Sequence, residues 1–339
     1  MQETAALGGL TGYPYGLVIA VAACLQLLLM HMFAHRQSLP AGSVPFFGIA
    51  AIPLGLFFSR LLFCLVNVSL FTETYENPWL MLRFFDGGLS MSGLIFGILA
   101  AALLSSRLLK IPYARLLDAV TLPLGLFLGL CRAGEYFTEL GVGKIWREGF
   151  LTQYAPWLFF AESAGIATEY RLAVYVYEAI TGLLIFLAML YFSRQIKKHP
   201  LARPGDASLL FLTLYGSTQI FWESMRDDGH LLFTFLRVAQ VLAFFMPLTA
   251  LLLFSRRYTS RVKSHVYLRI TWSLFFLCTA ALVLLEFSMD GRLSWGIPSL
   301  ARDYCLMSVS CILLFLAPYS IWKKSITPFS QNSRKGDSE

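Results

Sequence analysis

The stretch SLLFLTLYGSTQIFWESMRDDGHLLFTFLRVAQVLAFFMPLTALLLF, residues 208–254, decides the class of this protein. It holds two apolar runs, 208–224 and 236–254, each long enough to cross a bilayer as a helix. Between them Glu223, Arg226, Asp227, Asp228 and His230 crowd eight positions, and Arg237 opens the second run. Similar runs recur at 15–35, 44–70, 87–106, 113–131, 172–192, 266–286 and 303–322. The chain of 339 residues is 57% hydrophobic and 14% charged, with a mean hydropathy of +0.64. A soluble globular domain carries about 25% charged residues. The reading is an all-α polytopic membrane protein of about nine transmembrane helices.

The net charge of +7 could suggest nucleic acid, but its distribution excludes that partner. Of 27 Lys and Arg, 17 fall on alternate connections, opposed there only by Asp206, Asp337 and Glu339. This positive-inside pattern puts the N-terminus outside and the C-terminus in the cytoplasm, and the basic excess favours anionic membrane lipid. The leader MQETAALGGLTGYPYG has no Lys or Arg, so the first run is expected to be a retained span rather than a cleaved signal. All six cysteines lie within or at the end of apolar runs, with no zinc-site or disulfide spacing. About 40 residues between the fourth and fifth runs, rich in Gly, Tyr, Trp and Glu, predict a small folded head at the outer surface, about 132–171.

A charge near the bilayer centre costs about 2.5–3.5 kcal/mol on insertion scales, so it usually has a partner or a purpose. Arg60, Arg132, Glu178, Glu223, Arg226 and Arg237 all sit in or near span ends. Singly, each arginine reads as snorkelling to the headgroups, with Glu223 and Arg226 an i,i+3 pair. Together they describe a site for an anionic headgroup, because a guanidinium holds phosphate through two parallel hydrogen bonds. In FFDGGLSMSGLIFG (84–97), Gly87 and Gly88 allow a turn or a close backbone approach to a ligand. Gly93 and Gly97, four apart, read as a helix-packing seam.

These pieces resemble the prolipoprotein diacylglyceryl transferase family. Residues 204–240 are similar to the family's Pro-Gly, Tyr-Gly, Glu-x-x-Arg-x-Asp and Leu-Arg-x-x-Gln run. GYPYGL (12–17), FFSRL (57–61), DGGLSMSG (86–93), CRAGEYFTE (131–139) and VYVYE (174–178) resemble other family segments in family order. The resemblance covers about residues 10–258. It implies a membrane domain over 1–262, with two additional helices at 263–325 and a polar cytoplasmic tail at 326–339.

The resemblance further implies transfer of the diacylglyceryl group of phosphatidylglycerol to the lipobox cysteine thiol of a prolipoprotein. The setting would be the bacterial plasma (inner) membrane, and the chemistry requires no metal or organic cofactor. Carried over by motif position, Arg132 and Arg226 would bind the phosphate and stabilise it as it leaves. Glu178 and Glu223 would orient them or bind glycerol hydroxyls, while Tyr15, Gly87 and Gly88 would line the pocket. Asp228 and Arg237 belong to the same lipid site, Arg237 anchoring the returning helix.

The departures fall on the base. The family's Gly-Gly-Leu-Ser-x-His-Gly box has Ser92 in place of its histidine, and the family's Asn after Arg-x-Gly is Glu135. An arginine position of the family holds Gln219. Something must favour the thiolate, since a free thiol has a pKa of about 8.5. Glu135 is the leading candidate base, with Asp228 and Glu139 behind it. His230, the one histidine expected outside, reads as an incidental surface residue beside Gly229. Two other readings stay open: a member that binds phospholipid or passes a lipid group to another acceptor, and a transporter using the same charges. No inverted repeat with matching broken spans supports the last.

Overall fold

The computed structural model describes residues 5–7, 10–12, 14–75, 77–83, 87–138, 140–146, 149–164, 167–229, 231–233, 236–261, 265–293 and 300–327. Glu139, His230 and most of the predicted polar tail lie outside them. A short hairpin, β1 (Ala5–Leu7) and β2 (Leu10–Gly12), leads into α1 (Pro14–Arg36). Then come α2 (Ser43–Val66), α3 (Met91–Leu109) and α4 (Tyr113–Gly134). The segment after α4 contains β3 (Val142–Trp146), a short α5 (Phe150–Tyr154), β4 (Phe159–Ala164) and β5 (Ala167–Ala173). Long helices resume with α6 (Val174–Lys198), α7 (Asp206–Met225), α8 (Val238–Thr259), α9 (Val266–Met289) and α10 (Leu300–Ile326). A two-residue-strand hairpin, β6 (Leu232–Phe233) and β7 (Leu236–Arg237), joins α7 to α8.

Among the described residues, eight helices are long and apolar enough to cross a membrane. The protein is an all-α polytopic membrane protein. The remaining expected span is α7, which matches the others in length but carries Asp206, Gln219, Glu223 and several hydroxyl side chains. Most of these polar groups are buried against other helices. A helix that meets protein rather than lipid does not need an apolar surface.

Helix ends depart from the expected runs for local reasons. The third span begins at Met91 rather than 87, because Gly87 and Gly88 take left-handed backbone angles, φ +81° and +62°. Ser90 then caps the helix, its hydroxyl accepting from the Gly93 N–H at 3.2 Å. The Gly93–Gly97 pair is indeed a packing seam. A Cβ at Gly97 would lie 2.5 Å from the Cα of Gly55, so α3 rests backbone to backbone on α2. Likewise a Cβ on Gly182 would come 2.5 Å from the Gly129 Cα, which sets α4 tight against α6. The expected folded head is a three-stranded antiparallel sheet in the order β3-β5-β4.

One end of the bundle is pinned by two buried aspartates. Asp118 of α4 accepts from the Gly205 N–H (2.7 Å), the Ser208 N–H (2.9 Å) and the Ser208 hydroxyl (2.8 Å). It thereby caps the first turn of α7 from a different helix. Asp206 accepts from Arg257 of α8 at 2.7 and 3.0 Å and from the Trp322 indole of α10 at 3.1 Å. Asp206→Ala leaves a guanidinium buried without its carboxylate, a loss of about 3–5 kcal/mol for pairs of this kind. A lower unfolding midpoint in detergent is expected, with Asp206→Asn intermediate.

Candidate active site

The other end of α7 carries the charge cluster. Arg132 occupies the last turn of α4, and Glu135 follows it in a single 3-10 turn. Glu178 lies in the second turn of α6, while Gln219 and Glu223 stand one turn apart on α7 and Arg226 caps that helix. The close approach of α4 and α6 at Gly129 and Gly182 brings Arg132 beside Glu178.

Two carboxylates bridge the two guanidiniums. Glu135 places Oε1 2.6 Å from Arg132 Nη1 and Oε2 3.3 Å from Arg226 Nη2. Glu178 does the same from the opposite helix, Oε1 at 3.3 Å from Arg132 Nη2 and Oε2 at 2.8 Å from Arg226 Nη1. Gln219 donates its amide to Glu178 (2.8 Å) and Glu223 (2.9 Å), holding both against Arg132. Asp228 accepts from Arg226 at 2.8 and 3.1 Å and from the Gly141 N–H at 2.9 Å. All of Arg132, Glu135, Glu178, Glu223 and Arg226 are less than a tenth exposed. Ions so buried persist only where opposite charges and hydrogen bonds replace water.

The head contributes to the same site. Asp227 N–H donates to the Val142 carbonyl at 2.9 Å, and Gly143 bridges to Arg226, so β3 runs beside the end of α7. Gly141 just before β3 has φ +74°, and a Cβ there would sit 2.5 Å from Glu135 Oε2.

This cluster closes the polar end of a cavity of about 430 Å³. Tyr15, Ser92, Arg132, Glu135, Glu223 and Arg226 form its polar wall. Its remaining lining is largely apolar, including Ile19, Leu27, Phe47, Ile98, Val120 and Phe127 from α1 to α4. A void of about 10 Å³, room for roughly one water, lies beside Arg132 and Glu178 and is lined by residues of α4, α6 and α7.

Five of the expected site residues, Gly87, Gly88, Glu178, Asp228 and Arg237, stand behind the wall rather than on it. The Gly87 and Gly88 carbonyls accept from Arg60 at 2.5 and 3.4 Å. Arg60 also bonds the Leu80 and Met81 carbonyls, so its role is to tie the segment between α2 and α3 to α2. Asp228 braces Arg226 from outside the cavity. Arg237 donates to the Arg226 carbonyl at 2.8 Å and pairs with Glu286 at 3.4 Å. Sequence reasoning missed Gln219 as a partner of the carboxylates, although its place four residues before Glu223 puts both on one helix face. It also passed over Glu286, a lone acid in an apolar run.

The fold and this geometry define a multi-pass helical membrane protein with a buried ion cluster on the wall of a largely apolar cavity. The family model of prolipoprotein diacylglyceryl transferase matches residues 3–256. The chain belongs to that family, whose members are transferases of lipoprotein biosynthesis. It is 28% identical over 241 residues to a phosphatidylglycerol–prolipoprotein diacylglyceryl transferase of Symbiobacterium thermophilum, covering 70% of this chain and 86% of the relative. The enzyme of the same name from Pediococcus pentosaceus is 26% identical over 263 residues, 77% of this chain and 92% of the relative.

Gly141→Ala should be costly. The left-handed backbone alone disfavours a side chain by about 1–2 kcal/mol, and the new methyl would displace Glu135. Gly149, where a Cβ meets nothing within 4 Å, is the control: Gly149→Ala should leave the unfolding midpoint in detergent unchanged while Gly141→Ala lowers it.

Proposed function

We propose that this chain transfers the diacylglyceryl group of phosphatidylglycerol to the cysteine thiol of a prolipoprotein lipobox, at the outer face of a bacterial inner membrane. The observation that carries the reading is that guanidiniums from two helices share two carboxylates at the polar end of an apolar cavity. A phospholipid has the matching form, one phosphodiester anion above two hydrocarbon chains. The orientation is supported by the helix ends: α1, α3, α6, α8 and α10 each finish on basic residues in the last turn. Residues 1–262 are the transferase-like domain, 263–325 two additional helices and 326–339 a cytoplasmic tail.

In the reaction the thiolate sulfur attacks the diacylglyceryl carbon that bears the phosphate ester. A carbon–sulfur bond forms, the carbon–oxygen bond breaks, and glycerol phosphate leaves with the electron pair. Arg132 and Arg226 receive the charge that develops on the leaving phosphate. Glu135 occupies the place between them that a phosphate would take, so the lipid enters as Glu135 withdraws. Its freed carboxylate then faces the thiol and accepts the proton. Glu178 and Gln219 keep the arginines aligned during the exchange, and Tyr15 and Glu223 face the glycerol end.

Replacing Arg132 or Arg226 by Gln should lower transfer to a lipobox peptide by at least about 100-fold, the scale of losing one preorganised charge contact. Mass spectrometry of the peptide in phosphatidylglycerol membranes reads this, and full activity in both variants would remove the clamp. Ser92→His puts an imidazole on the cavity wall, and a faster rate is expected if proton transfer limits the reaction.

A second reading is favoured by one observation: both arginines are already saturated by carboxylates of the protein. In it the chain binds phospholipid, or passes a lipid group to another acceptor, without modifying the lipobox thiol. Complementation of cells depleted of their own transferase separates the two. Restored lipoprotein modification supports transfer, and its absence despite measurable lipid binding supports the second.

A further inference from the structure

The family match ends at residue 256, before α9 and α10 begin. These two helices nevertheless reach the ion cluster. An α-helix leaves its last carbonyls without intrahelical partners, and α7 ends where the cluster needs Glu223 and Arg226 held in place. Its Ser224 carbonyl accepts from the Tyr304 hydroxyl of α10 at 3.3 Å. The Arg226 carbonyl accepts from Arg237 Nη1 at 2.8 Å, and Arg237 Nε lies 3.4 Å from Glu286 of α9. Glu286 also accepts at 3.4 Å from Gln240, whose amide donates to the Ile220 carbonyl of α7 at 3.2 Å. Three successive supports of this end of α7 thus depend on side chains of the last two helices.

We infer that Glu286 and Tyr304 are positioning residues for the site, fixing the end of α7 so that the Arg226 guanidinium meets the lipid phosphate. The direction of the effect follows from charge. Glu286 neutralises Arg237 and fixes it on the Arg226 carbonyl. Without that partner, Arg237 is a cation next to a region holding four carboxylates (Glu135, Glu178, Glu223 and Asp228), and it is drawn toward them. Arg226 would then lose its carbonyl anchor and meet a third cation competing for the carboxylates it already shares with Arg132. Tyr304 adds a second hold two residues earlier, at Ser224, and packs its ring 6.1 Å from that of Phe221 on α7.

The inference rests on the transfer reading only for its kinetic readout. The full chain in nanodiscs containing phosphatidylglycerol is compared with Glu286→Ala, Glu286→Asp and Tyr304→Phe. Glu286→Ala should lower kcat/KM for phosphatidylglycerol about tenfold, through a higher KM and a lower kcat together, because Arg226 holds the phosphate both as it binds and as it leaves. The size is usual for residues coupled through one network. Glu286→Asp, which keeps the charge, should recover most of the affinity. Hydrogen exchange should quicken across residues 222–228 in Glu286→Ala and Tyr304→Phe, while exchange in α1 to α4 stays as it was. In an Arg226→Lys background, adding Glu286→Ala should cost little more, because both act on one group.

Losses that multiply in the double variant, or unchanged exchange at 222–228 together with unchanged affinity, would overturn the inference. If the unsubstituted chain transfers nothing, the transfer reading fails, and lipid affinity and exchange still decide on Glu286. Should Glu286→Ala not fold, Glu286→Gln removes the charge with the shape retained and is read in the same way.

Discussion

The structure turns on two carboxylates shared between two guanidiniums. Glu135 and Glu178 each give one oxygen to Arg132 and one to Arg226, and these four residues come from three separate parts of the chain. Their attraction is strong because water is largely excluded, and their burial is tolerable only because every charge is answered. To meet at one point they require α4 and α6 to touch at glycines and α7 to stop at Arg226. They also require β3 to lie across the top with no side chain at Gly141. The small-residue seams and the left-handed turn are conditions for the ion cluster rather than separate features.

Aspartates at one end of α7 and arginines with glutamates at the other make this helix the axis of the molecule. Asp118, Arg257 and Trp322 hold its start, and Arg132, Glu178 and Tyr304 hold its finish. The apolar cavity between α1 and α4 then has one rigid polar end. A charged group with hydrocarbon attached would be fixed by its charge, leaving the chains to fill a space whose walls make few specific demands.

Much of this was legible in the sequence. Apolar run lengths place the helices, because a membrane-crossing helix has little freedom in length. The Glu223–Arg226 spacing puts the two on adjoining turns, and intramembrane charge points to Arg132 and Glu178. What the sequence could not carry is the pairing across helices. That Glu135 would lie between both arginines depends on a 3-10 turn after Gly134 and on the emptiness at Gly141, neither of which has a periodic signature. Gly87 and Gly88 show the converse: their backbone freedom was readable, but the group they serve, Arg60, was decided by packing. Glu286 escaped notice because its partners, Arg237 and Gln240, are more than forty positions away.

The polarity of α7 has a consequence for biogenesis. A segment bearing Asp206, Gln219 and Glu223 is a poor candidate for independent release from the insertion machinery into lipid, since each such group raises the cost of partitioning. Two of the side chains that satisfy it, Trp322 and Tyr304, belong to α10, synthesised well after it. The sixth long helix therefore depends on its earlier neighbours for shielding until the ninth, α10, has been delivered.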